Sequence, residues 1–113
     1  MATSSLLSVI SVLDSFKLVA GKNPPLQLLQ CFLYIASSPE KGTKQEVLQD
    51  VTGLSESSCS RMVQWLGATK TDGSPGLALI RTQPDPTFWK RNILTLTPKG
   101  EQLANIIESN LNA

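Results

Sequence analysis

The chain has 113 residues, ten basic and nine acidic, with 41% hydrophobic and only 5% aromatic content. That hydrophobic fraction excludes a disordered chain, and the length fits one domain with a core of Leu, Ile and Val rather than rings. A net charge of +1 lacks the strong basic bias usual in nucleic-acid binders, although Lys41 to Lys99 holds eight basic residues against five acidic ones.

From Ser4 to Ala20 the apolar residues Leu6, Val9, Leu13, Phe16 and Ala20 step by three and four, the spacing of a helix seam. Leu7, Ile10 and Val12 widen that stripe beyond what one neighbour covers, so a dimerisation helix is expected over 4–20. No Lys or Arg precedes the run, and Asp14 and Lys17 interrupt it. It is therefore read neither as a signal peptide nor as a membrane span, and a cytoplasmic protein is expected. Gly21 ends the helix. A second helix is predicted to begin at Asn23-Pro24-Pro25, with a proline in its first turn. It continues through Leu26, Leu28, Leu29, Phe32, Leu33, Ile35 and Ala36, and with Cys31 and Tyr34 it is apolar nearly all round. That places it at the centre of the fold. Ser37-Ser38-Pro39 stops it.

Two short helices follow. Thr43-Lys44-Gln45-Glu46 has the form of a capping box, and the helix it opens is predicted to turn Val47, Leu48 and Val51 inward before breaking at Thr52-Gly53. Ser55 is a natural N-cap for the next helix, with Cys59, Met62, Val63 and Leu66 inward and Gly67 closing it. Gly73-Ser74-Pro75-Gly76 is a loop. Leu77–Thr82 and Asn92–Thr97 are β-prone runs around a nine-residue tip, 83–91, that carries prolines, and together they read as a hairpin with a long loop. Thr97-Pro98 starts a last helix, 98–112, with Leu103, Ile106, Ile107 and Leu111 on one face. The fold class is mainly α with a small β-hairpin, in the order α-α-α-α-β-β-α.

An enzyme is not indicated. The chain has no His for acid–base work, no Gly-rich phosphate loop and no carboxylate pair at a telling spacing. No cofactor is expected. Cys31 and Cys59 have no neighbouring Cys or His, so a metal site is not expected, and both read as buried free thiols.

Helix, Gly-containing turn, helix and hairpin is the layout of a winged helix-turn-helix. The helix after the turn shows Ser57, Ser58, Ser60, Arg61, Gln64 and Trp65 outward, with Ser55 at its cap. Small hydroxyls at a helix N-terminus suit phosphates and base edges. Arg61 can pair bidentately with guanine, and Gln64 with adenine. Lys90 and Arg91 in the wing are the candidate phosphate or minor-groove contacts. Trp65 and Trp89 either pack on sugars or a partner protein or fold back on their own domain, and the sequence leaves both open.

Leu54-Ser55-Glu56-Ser57-Ser58-Cys59-Ser60-Arg61-Met62-Val63-Gln64-Trp65-Leu66 resembles the recognition helix of MarR-type (multiple antibiotic resistance regulator) transcription factors. Gly76-Leu77-Ala78-Leu79-Ile80-Arg81 resembles that family's strand into the wing, and Leu96-Thr97-Pro98-Lys99-Gly100 its exit to the following helix. The match spans about residues 26–112. In that family the wing carries an Asp-x-Arg element, whereas here Asp85 is followed by Pro86, Thr87, Phe88 and Trp89 before Lys90 and Arg91. The resemblance implies a dimer through the N- and C-terminal helices, around a winged-helix core over 25–97 that binds double-stranded DNA.

The expectation is thus a homodimeric, sequence-specific DNA-binding transcriptional regulator. The alternative is a winged-helix protein-interaction module without DNA binding, possible as a phage or plasmid accessory factor. Near-neutral charge and the aromatic wing residues Phe88 and Trp89 favour that alternative.

Overall fold

A computed structural model describes residues 2–38 and 41–112. In chain order the elements are α1 (Ala2–Ala20), α2 (Leu26–Ala36), β1 (Thr43–Lys44), α3 (Gln45–Thr52), α4 (Glu56–Leu66), β2 (Ile80–Asp85), β3 (Phe88–Leu96) and α5 (Pro98–Asn112). The three strands form one antiparallel sheet in the order β1-β3-β2. The winged helix-turn-helix architecture expected from the sequence is present, with one strand more than expected.

Serines are poor interior helix residues because their hydroxyls compete for backbone groups. In α1 that competition is resolved within the helix. Ser8, Ser11 and Ser15 donate to the carbonyls of Ser4, Leu7 and Ser11 at 3.0, 3.1 and 2.8 Å. Val12 and Phe16 of α1 are buried, and Phe16 meets Phe32 of α2 with ring centroids 5.9 Å apart. Leu28, Cys31, Phe32 and Ile35 make α2 the centre of the core, although Leu26, Leu33 and Tyr34 stay exposed. Its start also differs from expectation. Both prolines precede α2, and Pro25 is the extended N-cap residue.

The predicted capping box is absent. Thr43 pairs with Leu94 across β1 and β3, and its Oγ1 is buried with no hydrogen-bond partner among the described residues. Lys44 occupies the N-cap position of α3, without a side-chain cap bond. Thr43 serves a short third strand instead, because Gly42 (φ +75°) turns the chain tightly against Ile93 and Thr95 of β3. In α3 only Leu48 of the three expected residues is buried, while Val47 and Val51 are exposed. Eight residues present one narrow face to the core, and Leu48 fills it. Cys59, Val63 and Leu66 of α4 are buried as expected, with Met62 packed at the margin.

The hairpin departs from its predicted limits at both ends. Leu77, Ala78 and Leu79 are not strand. Their amides donate to the carbonyls of Trp65, Gly67 and Leu66 at 2.8, 2.9 and 2.8 Å, satisfying acceptors left unpaired where α4 stops. Gly76 opens this docked run because a Cβ there would strike the Gly67 and Trp65 carbonyls. At the far end the nine-residue tip shrinks to the turn residues Pro86 and Thr87, as β2 and β3 extend to Asp85 and Phe88. Pro84 is tolerated because β2 is an edge strand, where a missing N–H breaks no ladder.

Thr97 starts α5 as expected. Its hydroxyl accepts from Gly100 N at 3.1 Å and donates to Ala78 O at 2.6 Å.

Candidate nucleic-acid interface

Ser55 caps α4, accepting from Ser58 N at 3.2 Å, and its hydroxyl lies 3.3 Å from that of Ser57. A cap of this kind satisfies a first-turn amide, and the positive end of the helix dipole lies at that end of α4. Gly53 (φ +73°) ends α3 in the left-handed conformation, giving the sharp turn that sets the two helices at an angle.

The outer face of α4 is polar. Ser57, Arg61 and Gln64 are exposed, and Ser58 and Ser60 are half-buried beside them. Arg61 Nη2 donates to Ser58 Oγ at 3.3 Å, one helical turn back. Five of the expected contact residues, Ser57, Ser58, Ser60, Arg61 and Gln64, thus share one side of α4, with Ser55 at its start. A cleft of about 520 Å³ opens beside them, lined by Gln45, Ser55, Glu56, Ser57 and Ser60. Trp65 sits differently. It is half-buried against the core, with Lys70 Nζ 4.4 Å from its ring centroid.

The wing carries a buried carboxylate. Asp85 is 4% exposed, accepts from Thr87 N and Oγ1 at 2.9 and 2.7 Å, and lies 3.8 Å from Lys44 Nζ on β1. The aspartate closes the turn on itself, which holds the end of the hairpin in one shape. Asn92 Nδ2 reaches Gln45 Oε1 at 3.5 Å, tying β3 to the start of α3. Lys90 and Arg91 lie in β3 just beyond the turn. Their side chains, with those of Phe88 and Trp89, fall outside the described structure.

The loop expected at Gly73–Gly76 is present, but its contacts with α4 were not foreseen from the sequence. Lys70 N donates to Ser74 O and Gly73 N to Lys70 O, at 2.8 and 3.0 Å, and Thr69 bridges Pro75. The Ser74 hydroxyl and amide both donate to Asp72 Oδ1 and, with Lys70 nearby, hold its carboxyl below the usual range. Thr71 Oγ1 then donates to Gln64 Oε1 at 2.6 Å. Asp-Gly-Ser-Pro is turn chemistry that builds a compact loop, but nothing in its spacing points to Gln64.

No family model and no curated protein matches the chain. Solved structures do. The MepR–DNA complex of S. aureus aligns with a TM-score of 0.71 at 14% identity, covering 98% of this chain and 78% of that one. MarR aligns at 0.63 and 23% identity, over 99% and 77%. The chain has the MarR-type winged-helix fold. Rv1404 of Mycobacterium tuberculosis aligns similarly, at 0.67 and 21% identity over 98% and 68%. Among the described residues no helix is long and apolar enough to cross a membrane.

Proposed function

We propose that the chain is a homodimeric transcriptional regulator that binds double-stranded DNA with α4 in the major groove. The observation that carries this reading is the exposed outer face of α4, where Arg61 and Gln64 stand one turn apart in a fold shared with MepR, which has been solved on DNA. Guanidinium and amide side chains are the groups that read guanine and adenine edges in the major groove. Lys90 and Arg91 in β3 grip phosphates or reach the adjacent minor groove.

Dimerisation is supported by the apolar surface that α1 and α5 leave uncovered. Leu6, Leu7, Val9 and Ile10 of α1, and Ile106 and Leu111 of α5, are each at least half exposed. A second copy covering them sets two α4 helices about a two-fold axis, reading half-sites about one helical turn apart.

Selection from random duplexes at two salt concentrations tests the reading. A near-palindromic consensus with salt-dependent affinity supports it. Retention of cellular activity by a protein that selects no sequence instead favours the protein-interaction module.

A further inference from the structure

Resting on that duplex-binding reading, we propose that Thr71 is a positioning residue that tethers the Gln64 amide and restrains how it is presented to a base. A glutamine amide carries an acceptor oxygen and two donor hydrogens, and its terminal torsion is broad and roughly two-fold. Left alone on a helix surface, Gln64 offers either order. The Thr71 hydroxyl donates to Oε1 at 2.6 Å, tying one end of the amide to the loop and leaving the other end facing outward.

This pairing is not a neighbour effect along a helix. Thr71 lies seven residues beyond Gln64, past the end of α4 at Leu66, and reaches it only because the chain folds back. The loop that brings it is anchored independently of Gln64. Gly76 N donates to Ala68 O at 2.9 Å, Thr69 bridges Pro75, and Lys70 caps the Trp65 ring. Thr71 is exposed yet held at both sides by bonded residues. The Trp65 ring thereby contributes one anchor of the loop, through Lys70. Arg61 is held in a comparable way by Ser58, so both candidate base-reading side chains of α4 are steadied by a hydroxyl.

A pre-positioned side chain avoids the cost of ordering on binding, and a wrongly matched base then meets a fixed pattern rather than an adaptable one. Ordering a side chain of this length costs ~0.5–1.5 kcal/mol, which converts to about two- to tenfold in affinity.

The test compares Thr71→Val, which removes the hydroxyl and keeps the shape, with Thr71→Ser, which keeps the hydroxyl. Affinities are measured for the selected duplex and its single-base variants, with thermal unfolding as the folding control. Thr71→Val is expected to lose about two- to tenfold discrimination at one base pair per half-site, with other positions and the salt dependence unchanged. Thr71→Ser should match the wild type, and Thr71→Val should have no further effect in a Gln64→Ala background. An unchanged base profile in Thr71→Val, or a uniform loss across all sequences, overturns the role of Thr71 while leaving duplex binding intact. A wild type that selects no sequence overturns the regulator reading itself.

Discussion

Asn110 Nδ2 of α5 donates to Ser15 Oγ of α1 at 2.9 Å, joining the two terminal helices of one chain across 95 residues. The pair packs side by side and leaves apolar residues of both helices outward. Phe16, in the expected dimer stripe, is not among them. It is 1% exposed and belongs to the chain's own core. Ile10→Lys with Leu13→Lys is therefore expected to give folded monomers by light scattering, because both residues are exposed. Phe16→Ala should instead cost ~3–5 kcal/mol of stability, as burial of a ring is lost and a cavity remains. Dimers that survive the double Lys variant count against the terminal-helix interface.

Gly100 carries a second prediction. A Cβ there would meet the backbone carbonyl of Leu79, which accepts from Thr97 N while the Leu79 amide donates to Leu66 O. Backbone cannot step aside as a flexible side chain does. Gly100→Ala should cost about 1–3 kcal/mol in denaturant unfolding, comparable with overpacking a core. Full stability would show that the joint between the wing and α5 is looser than its geometry.

Much of this architecture was legible because it rests on local chemistry. Ser55 caps α4 and Thr97 caps α5 where the sequence places them, since a hydroxyl before a helical run has one obvious backbone partner. Thr43 shows the limit. Its spacing to Glu46 imitates a capping box, but pairing with Leu94 wins, and a two-residue strand has no periodicity to read. Pro84 and Pro86 likewise read as loop, although an edge strand and a two-residue turn accommodate both. The α4 face was readable from its own period. Thr71 was not, because its contact with Gln64 depends on a loop folding back rather than on a repeat.

The two thiols give a pH prediction. Burial, followed by the nearby Cys59, pushes the Cys31 thiol up from the ordinary 9.0 to about 12, and burial also raises Cys59. The folded state therefore holds both thiols neutral where an unfolded chain would ionise them. Stability from this source is complete below the ordinary thiol value and is lost as pH rises from 9.0 toward about 12. Cys31→Ser with Cys59→Ala should flatten that alkaline decline. At neutral pH the native thiols should label with reagent only as fast as the protein unfolds. Rapid labelling of the folded protein would contradict the burial of both.

As proposed phosphate contacts, Lys90 and Arg91 should follow a different rule from α4, because such contacts carry no base information. Replacing both by Ala should weaken selected and scrambled duplexes nearly equally. The salt slope should fall by about one unit per lost phosphate contact. A loss confined to the selected sequence would move these residues into direct base reading.

The central claim is tested most directly by equilibrium binding of selected and scrambled duplexes to the wild type and Arg61→Ala at physiological salt. Arg61 is exposed and ends beside Ser58, where a guanidinium can span guanine O6 and N7. The wild type is expected to prefer the selected duplex by at least ~10³-fold. Arg61→Ala should cost ~1–3 kcal/mol per half-site on that duplex, relax preference at one base pair, and change the scrambled duplex little. Wild-type binding no tighter than ~10⁻⁴ M to any duplex, or an Arg61→Ala loss equal on both, would contradict the account.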